Sequence, residues 1–122
     1  MKPTLLIIED NEQNLYLMRY LLERSGFSVV SARDGRSGID LAAEVKPDLV
    51  ILDIQLPLMD GYAVASAIRK NPELAGTPIL AVTSYAMQGD REKCLAAGAT
   101  AYMEKPINPD TFVELVRSHL AR

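Results

Sequence analysis

Leu49-Val50-Ile51-Leu52-Asp53 sets four apolar residues before one carboxylate, and Ile54-Gln55-Leu56-Pro57-Leu58-Met59-Asp60-Gly61 follows with Pro and Gly at its breaks. A continuous apolar run of that length, closed by turn residues, reads as a strand buried on both faces. Asp53 then stands where the strand emerges. In open α/β sheets ligands bind outside the carboxyl ends of the strands. The chain therefore puts a charged, nucleophilic side chain where chemistry is usually done.

Working back toward the N-terminus, Leu5–Ile8 reads as a strand that ends at Glu9-Asp10. Asn11 is the N-cap expected for a helix from about Glu12 to Ser25, closed by Gly26. Leu15, Met18 and Leu22 fall at helical spacing in it, flanked by Leu17 and Leu21. Phe27–Ser31 reads as a second, more polar strand, and Asp34-Gly35 turns the chain into a helix with Ile39, Ala42 and Ala43 on one face. That helix stops before Pro47.

Working forward, a helix after Gly61 carries Val64, Ala67 and Ile68 and ends near Asn71-Pro72. Pro78–Thr83 reads as the fourth strand. The helix after it, from about Met87 to Ala97, is poorly apolar, with Leu95 and Cys94 as its expected anchors and Gly89 weakening it. Thr100–Met103 is a short fifth strand, followed by Glu104-Lys105-Pro106. Asn108-Pro109 reads as cap and first helical residue of a last helix, which sets Phe112, Leu115, Val116 and His119 along one stripe.

Strand and helix alternate throughout, which implies a parallel sheet with helices on both faces. The first, third and fourth strands are continuous apolar runs, whereas serines interrupt the second and the fifth is short. Central strands are buried on both faces and edge strands less so. The expected fold is thus α/β, a doubly wound five-stranded parallel sheet in the flavodoxin-like order 2-1-3-4-5 with five helices. That order brings Glu9-Asp10 beside Asp53.

Glu9, Asp10, Asp53, Thr83 and Lys105 then end on one rim. Adjacent carboxylates repel one another unless a cation neutralises them. Oxygen ligands without His or Cys suit a hard ion such as Mg²⁺. An ammonium and a hydroxyl opposite the metal match a transferring phosphoryl group, whose catalysis is mainly positioning and electrostatic stabilisation. An Asp carboxylate can be the acceptor, giving an aspartyl-phosphate. Singly, each residue has a plainer explanation. Asp53 could be a turn residue, Glu9-Asp10 could favour a helix N-terminus, Thr83 could be a strand former and Lys105 a solvated surface lysine. The reading rests on their conjunction. Cys94, Met87 and Met103 read as packing residues, and His119 as a surface position on the last helix.

At 122 residues the chain suits one domain with one core. A net charge of −3 argues against a nucleic-acid binder, which would carry a basic face. The early run Thr4–Glu9 is too short and too soon charged for a signal peptide or membrane span. Cys94 is the single cysteine and has no internal partner for a disulfide, which fits a reducing cytoplasm.

Glu9-Asp10, Asp53 after its apolar strand, Pro57-Leu58-Met59-Asp60-Gly61, Thr83-Ser84, Ala97-Gly98-Ala99 and Lys105-Pro106 together resemble a response-regulator receiver domain of two-component systems, CheY-like in fold. The likeness covers essentially the whole chain. Ser84 to Asp90 further resembles single-domain regulators of the DivK type, although receivers of hybrid kinases read similarly. The resemblance implies that Asp53 accepts phosphoryl from a histidine kinase or histidine phosphotransfer protein. It implies that Asp10, Asp53 and the backbone carbonyl of Gln55 ligate Mg²⁺, with Glu9 acting through a water on the metal. Thr83 and Lys105 would hold the phosphoryl oxygens, and Tyr102 matches the switch aromatic that turns inward as Thr83 moves. Lys105–Pro106 is expected to be cis, and Glu in place of Asp at position 9 is a departure that many members share. The resemblance also implies that Gln55 and Tyr85, at variable positions beside the site, tune phosphate lifetime.

Output is expected through a protein partner on the face of the fourth helix, fifth strand and fifth helix, with no nucleic-acid or membrane partner. Residues 1–122 are expected to form a single receiver domain without an effector domain. Enzymatic activity beyond self-phosphorylation and hydrolysis of the aspartyl-phosphate is not expected. The alternatives are a receiver excised from a hybrid kinase or larger regulator, and a degenerate receiver that binds partners without phosphorylation. An aspartyl-phosphate hydrolase of haloacid-dehalogenase type would need a second carboxylate where Gln55 stands. A flavodoxin-type phosphate binder would need a Gly/Ser/Thr-rich loop where Glu9-Asp10-Asn11-Glu12 stands.

Overall fold

The computed structural model describes residues 2–84 and 89–120. Strands β1 (Thr4–Ile8), β2 (Ser28–Ala32), β3 (Leu49–Asp53), β4 (Ile79–Thr83) and β5 (Ala101–Glu104) form one sheet in the order β2-β1-β3-β4-β5. All neighbouring pairs are parallel. Helices α1 (Glu12–Arg24), α2 (Gly35–Val45), α3 (Gly61–Lys70), α4 (Asp90–Ala96) and α5 (Pro109–Leu120) connect and cover it.

Burial follows the order expected from composition. Every residue of β3 and β4 is buried, whereas edge strand β2 alternates and β5 is half-buried to exposed. Successive strand residues face opposite sides, so the core divides into two. Leu6, Ile8, Val50, Leu52 and Ala81 pack under Val64, Ile68 and Cys94 on one face. Leu5, Ile7, Leu49, Ile51 and Val82 pack under Met18, Leu22, Phe112 and Val116 on the other. Each buried Leu, Ile or Val contributes about 1.5–3 kcal/mol from burial, and β3 contributes to both faces.

The caps predicted from the sequence form at two helices. Asn11 accepts from Asn14 N, and Asn108 Oδ1 accepts from Asp110 N at the start of α5. Asp34 and Asp60 also cap, accepting from Ser37 N and Ala63 N. Boundaries shift by a residue at β1, β2, β4 and β5. Phe27 is excluded from β2 because its N–H bonds back to Leu22 O, closing α1, although its ring is buried. A short 3-10 helix at Pro72–Leu74, unread in the sequence, buries Leu74.

Two expectations are overturned: Ala43 of α2 is exposed beside buried Ala42, a residue off the face that Ile39 and Ala42 share, and Leu95 does not anchor α4. It is 41% exposed while Cys94 is 1% exposed. Adjacent helical residues point about 100° apart, so both cannot face the sheet. Met87 and Gln88, expected at the start of this helix, lie outside the described residues, as does Tyr85. Met103 packs partly buried against the core, as expected. His119 is half-buried at the end of the apolar stripe of α5 and lines a groove there.

Candidate functional site

Registers Ile8↔Leu52, Asp53↔Val82 and Thr83↔Glu104 end β1, β3, β4 and β5 at one level of the sheet. Glu9 leaves β1 with its N–H bonded to Ala32 O of the edge strand at 3.0 Å. Asp53 and Thr83 are the last residues of their strands, and Lys105 follows β5, its N–H bonded to Thr83 O at 2.8 Å. The backbone alone therefore brings these residues together. The sheet also buries three polar side chains, Glu9, Asp53 and Thr83, at no more than 3% exposed.

Lys105 Nζ lies 2.9 Å from Glu9 Oε1 and 3.2 Å from Asp53 Oδ2. Asp53 Oδ1 accepts from Gln55 N at 3.0 Å, and Glu9 Oε2 accepts from Asn11 N at 3.1 Å. One carboxylate oxygen from each of Glu9, Asp10 and Asp53 lies within 4.8 Å of the others. Burial, and then the hydrogen bond and charge of Asp53, push the Glu9 carboxyl up to about 7 against the pull of Lys105. Burial alone would lower the Lys105 ammonium, but hydrogen bonds and charges from Glu9 and Asp53 outweigh it and raise its pKa. An all-oxygen set of clustered carboxylates, with one member held back toward its neutral form, fits a hard divalent cation.

The loop from Ile54 to Asp60 closes tightly back on the end of β3. Gly61 N donates to Ile54 O at 2.9 Å, and a Cβ at Gly61 would stand 2.5 Å from Ile54 Cα and 2.7 Å from Asp53 O. Only glycine allows that approach. The Lys105–Pro106 peptide is cis.

The sequence singled out Glu9, Asp10, Asp53, Thr83 and Lys105, and the fold brings all of them to one rim. Tyr102 sits on β5, half-buried against the core face that holds Leu52 and Ala81, beside a groove of about 560 Å³ lined also by Arg91, Leu95, Leu115 and His119. Three features were not legible. Arg33 Nη2 donates to Asp10 O at 2.9 Å, tying the acidic loop to the end of β2. Leu58 is fully exposed with φ 68°, a conformation rare for a branched residue. The Gln55 side chain reaches across to β4, donating from Nε2 to Thr83 Oγ1 and accepting from Ser84 N at 2.8 Å. A polar residue two positions after Asp53 was visible in the sequence, but its long-range partner was not.

The profile of the response regulator receiver domain matches residues 5–117. The chain belongs to the response-regulator receiver family. It is 42% identical over 120 residues to the polar-differentiation response regulator DivK of Brucella anthropi, covering 98% of each chain. Among solved structures, it is similar to the Vibrio cholerae chemotaxis protein CheY4, with TM-score 0.94 and 28% identity over 98% of this chain and 100% of the other. It is similar also to the receiver domain of a Pseudomonas aeruginosa sensor histidine kinase, with TM-score 0.92 and 30% identity over 100% of both chains. That receiver holds a magnesium ion in its active-site cleft. The fold is CheY-like, and the family places the chain in two-component signalling. Among the described residues no helix is long and apolar enough to cross a membrane.

Proposed function

We propose that this receiver accepts a phosphoryl group on Asp53 from the phosphohistidine of a sensor histidine kinase or histidine phosphotransfer protein. The observation that carries the reading is the placement of Lys105 Nζ within 3.2 Å of Asp53 beside the Glu9–Asp10–Asp53 cluster. In the transfer, an Asp53 carboxylate oxygen bonds to phosphorus, the P–N bond breaks, and the departing imidazole takes up a proton. Asp10, Asp53 and the Gln55 carbonyl would hold Mg²⁺, with Glu9 supporting it through water. When bound, the ion supplies charge neutralisation for the incoming phosphoryl oxygens. Lys105 and Thr83 bind those oxygens from the other side.

The remaining functional assignments extend this reading. The phosphoryl group adds about −1.5 to −2 of charge, and the Thr83–Tyr102 region carries its effect to the α4–β5–α5 face, where a protein partner docks. Residues 1–122 act as one receiver domain in the cytoplasm, with no separate substrate and no turnover beyond loss of the chain's own phosphate. The match to the response regulator DivK across 98% of both chains supports a signalling role.

Intact mass after incubation with acetyl phosphate tests the proposal. One added phosphoryl is expected with Mg²⁺, and none with chelator or in Asp53→Asn. Phosphoryl addition to Asp53→Asn, or none to the folded wild type with Mg²⁺ and a cognate kinase, would overturn it.

A further inference from the structure

Gln55 touches both sides of the site. Its backbone N–H donates to Asp53 Oδ1 at 3.0 Å, while its side chain spans to the end of β4. There Oε1 accepts from Ser84 N at 2.8 Å and Nε2 donates to Thr83 Oγ1. Chemistry fixes this orientation of the carboxamide. A backbone N–H can only donate, so the oxygen must face Ser84 and the NH₂ must face Thr83. Thr83 is buried and Ser84 is exposed, so the bonds cross the boundary of the pocket at the point where β4 leaves the sheet.

These contacts occupy the groups at the end of β4 that an anion on Asp53 would draw toward itself. The Gln55 oxygen occupies the Ser84 N–H, and the Gln55 NH₂ holds the Thr83 hydroxyl oxygen from the side of the β3–α3 loop. A phosphoryl group offers stronger, charge-assisted bonds than a neutral carboxamide. It gains only the difference, because the bonds to Gln55 must first be given up. A ligand shifts a two-state element by its differential affinity, and here the resting state has its own internal ligand.

We propose that the Gln55 carboxamide is a clasp on the end of β4, a positioning residue that holds Thr83 and Ser84 in the resting arrangement and releases them when Asp53 is phosphorylated. This rests on the phosphoacceptor reading of Asp53 and goes beyond it by naming the contact that opposes switching. Because the clasp grows from the loop that carries the Asp53-bonded N–H, its release couples the β3–α3 loop to the end of β4.

The test is a titration with beryllofluoride, an inorganic phosphoryl analogue, at saturating Mg²⁺, followed by amide NMR of the full chain. Gln55→Met keeps the length of the side chain and removes both bonds. It is expected to bind the probe about tenfold more tightly than wild type. Its Ser84 amide is expected to exchange faster with solvent before the probe is added. A side chain that only supported the loop would act oppositely, weakening binding as it lowered Tm. In wild type itself, proximity signals between the Gln55 side-chain NH₂ and the Thr83 methyl are expected without the probe and lost with it. Equal or weaker binding by Gln55→Met, or persistence of those signals in the bound state, would overturn the clasp alone. A wild type that binds no beryllofluoride would overturn the phosphoacceptor reading beneath it.

Discussion

The β1–β3 side of the sheet and the β4–β5 side both end in site residues, but they are held differently. On the first side α1, α2 and α3 each begin at a side-chain cap, Asn11, Asp34 and Asp60. Strand β3 is buried along its whole length, and Gly61 closes the loop against Asp53 with no room for a Cβ. On the second side α4 has seven residues, starts at Gly89 with no side-chain cap, and turns Leu95 outward. Strand β5 has no fully buried residue. The acidic cluster therefore sits on rigid structure, while Thr83 and Lys105 border structure with less burial to hold it. Elements that move in switching come from the low-stability end of a fold. The difference points to a division of labour: the acidic cluster with its acceptor carboxylate on the β1–β3 side, and readout on the β4–β5 side.

The largest effect should come from the rigid side. Leu52→Ala is expected to cost about 2–5 kcal/mol, because Leu52 is 0% exposed in a central strand. Denaturant unfolding would measure it, and a loss below about 0.5 kcal/mol would place β3 among ordinary surface sites.

Next is the pH response of the metal-free protein. The Glu9 carboxyl titrates near 7 when folded against 4.5 as its ordinary value, mainly through burial. Between those values the folded chain binds more protons than the unfolded one, so stability falls as pH rises through that window. In chelator, raising the pH from 5 to 7.5 should remove about 1–3 kcal/mol through this group. Glu9→Gln should abolish that part of the slope. An unchanged slope in the variant would assign it to other residues.

Asp60→Ala should cost about 1 kcal/mol by removing the bond to Ala63 N. It sharpens the comparison because α4 has no side-chain cap bond to lose. Smallest of all, Leu95→Ala should change stability by less than about 0.5 kcal/mol. A loss like that of Leu52→Ala would show that α4 is anchored after all.

Much of this contrast was legible in residue order. Strand sequence and burial follow from apolar runs, because a strand buried on both faces must be apolar at every position. The rim was legible because Glu9, Asp10, Asp53 and Thr83 each follow or end such a run, and Lys105 follows the short fifth strand. Asn11 and Asn108-Pro109 announced their helices. The rest depends on contacts between distant segments. Leu95 and Cys94 are both apolar, and only the rotation of α4 decides which is buried. The Gln55–Thr83 bond spans 28 residues, and the Arg33–Asp10 bond spans 23, so neither leaves a local pattern.

Residue-resolved hydrogen exchange with Mg²⁺, with and without beryllofluoride, tests the division of labour most directly. Protection is expected to change in the described residues of the β4–α4–β5 side, around Thr83, Ser84 and Tyr102. Amides of β1 and of Leu49–Leu52 in β3 should keep theirs. A change confined to the β1–β3 side, or equal on both, would contradict the account.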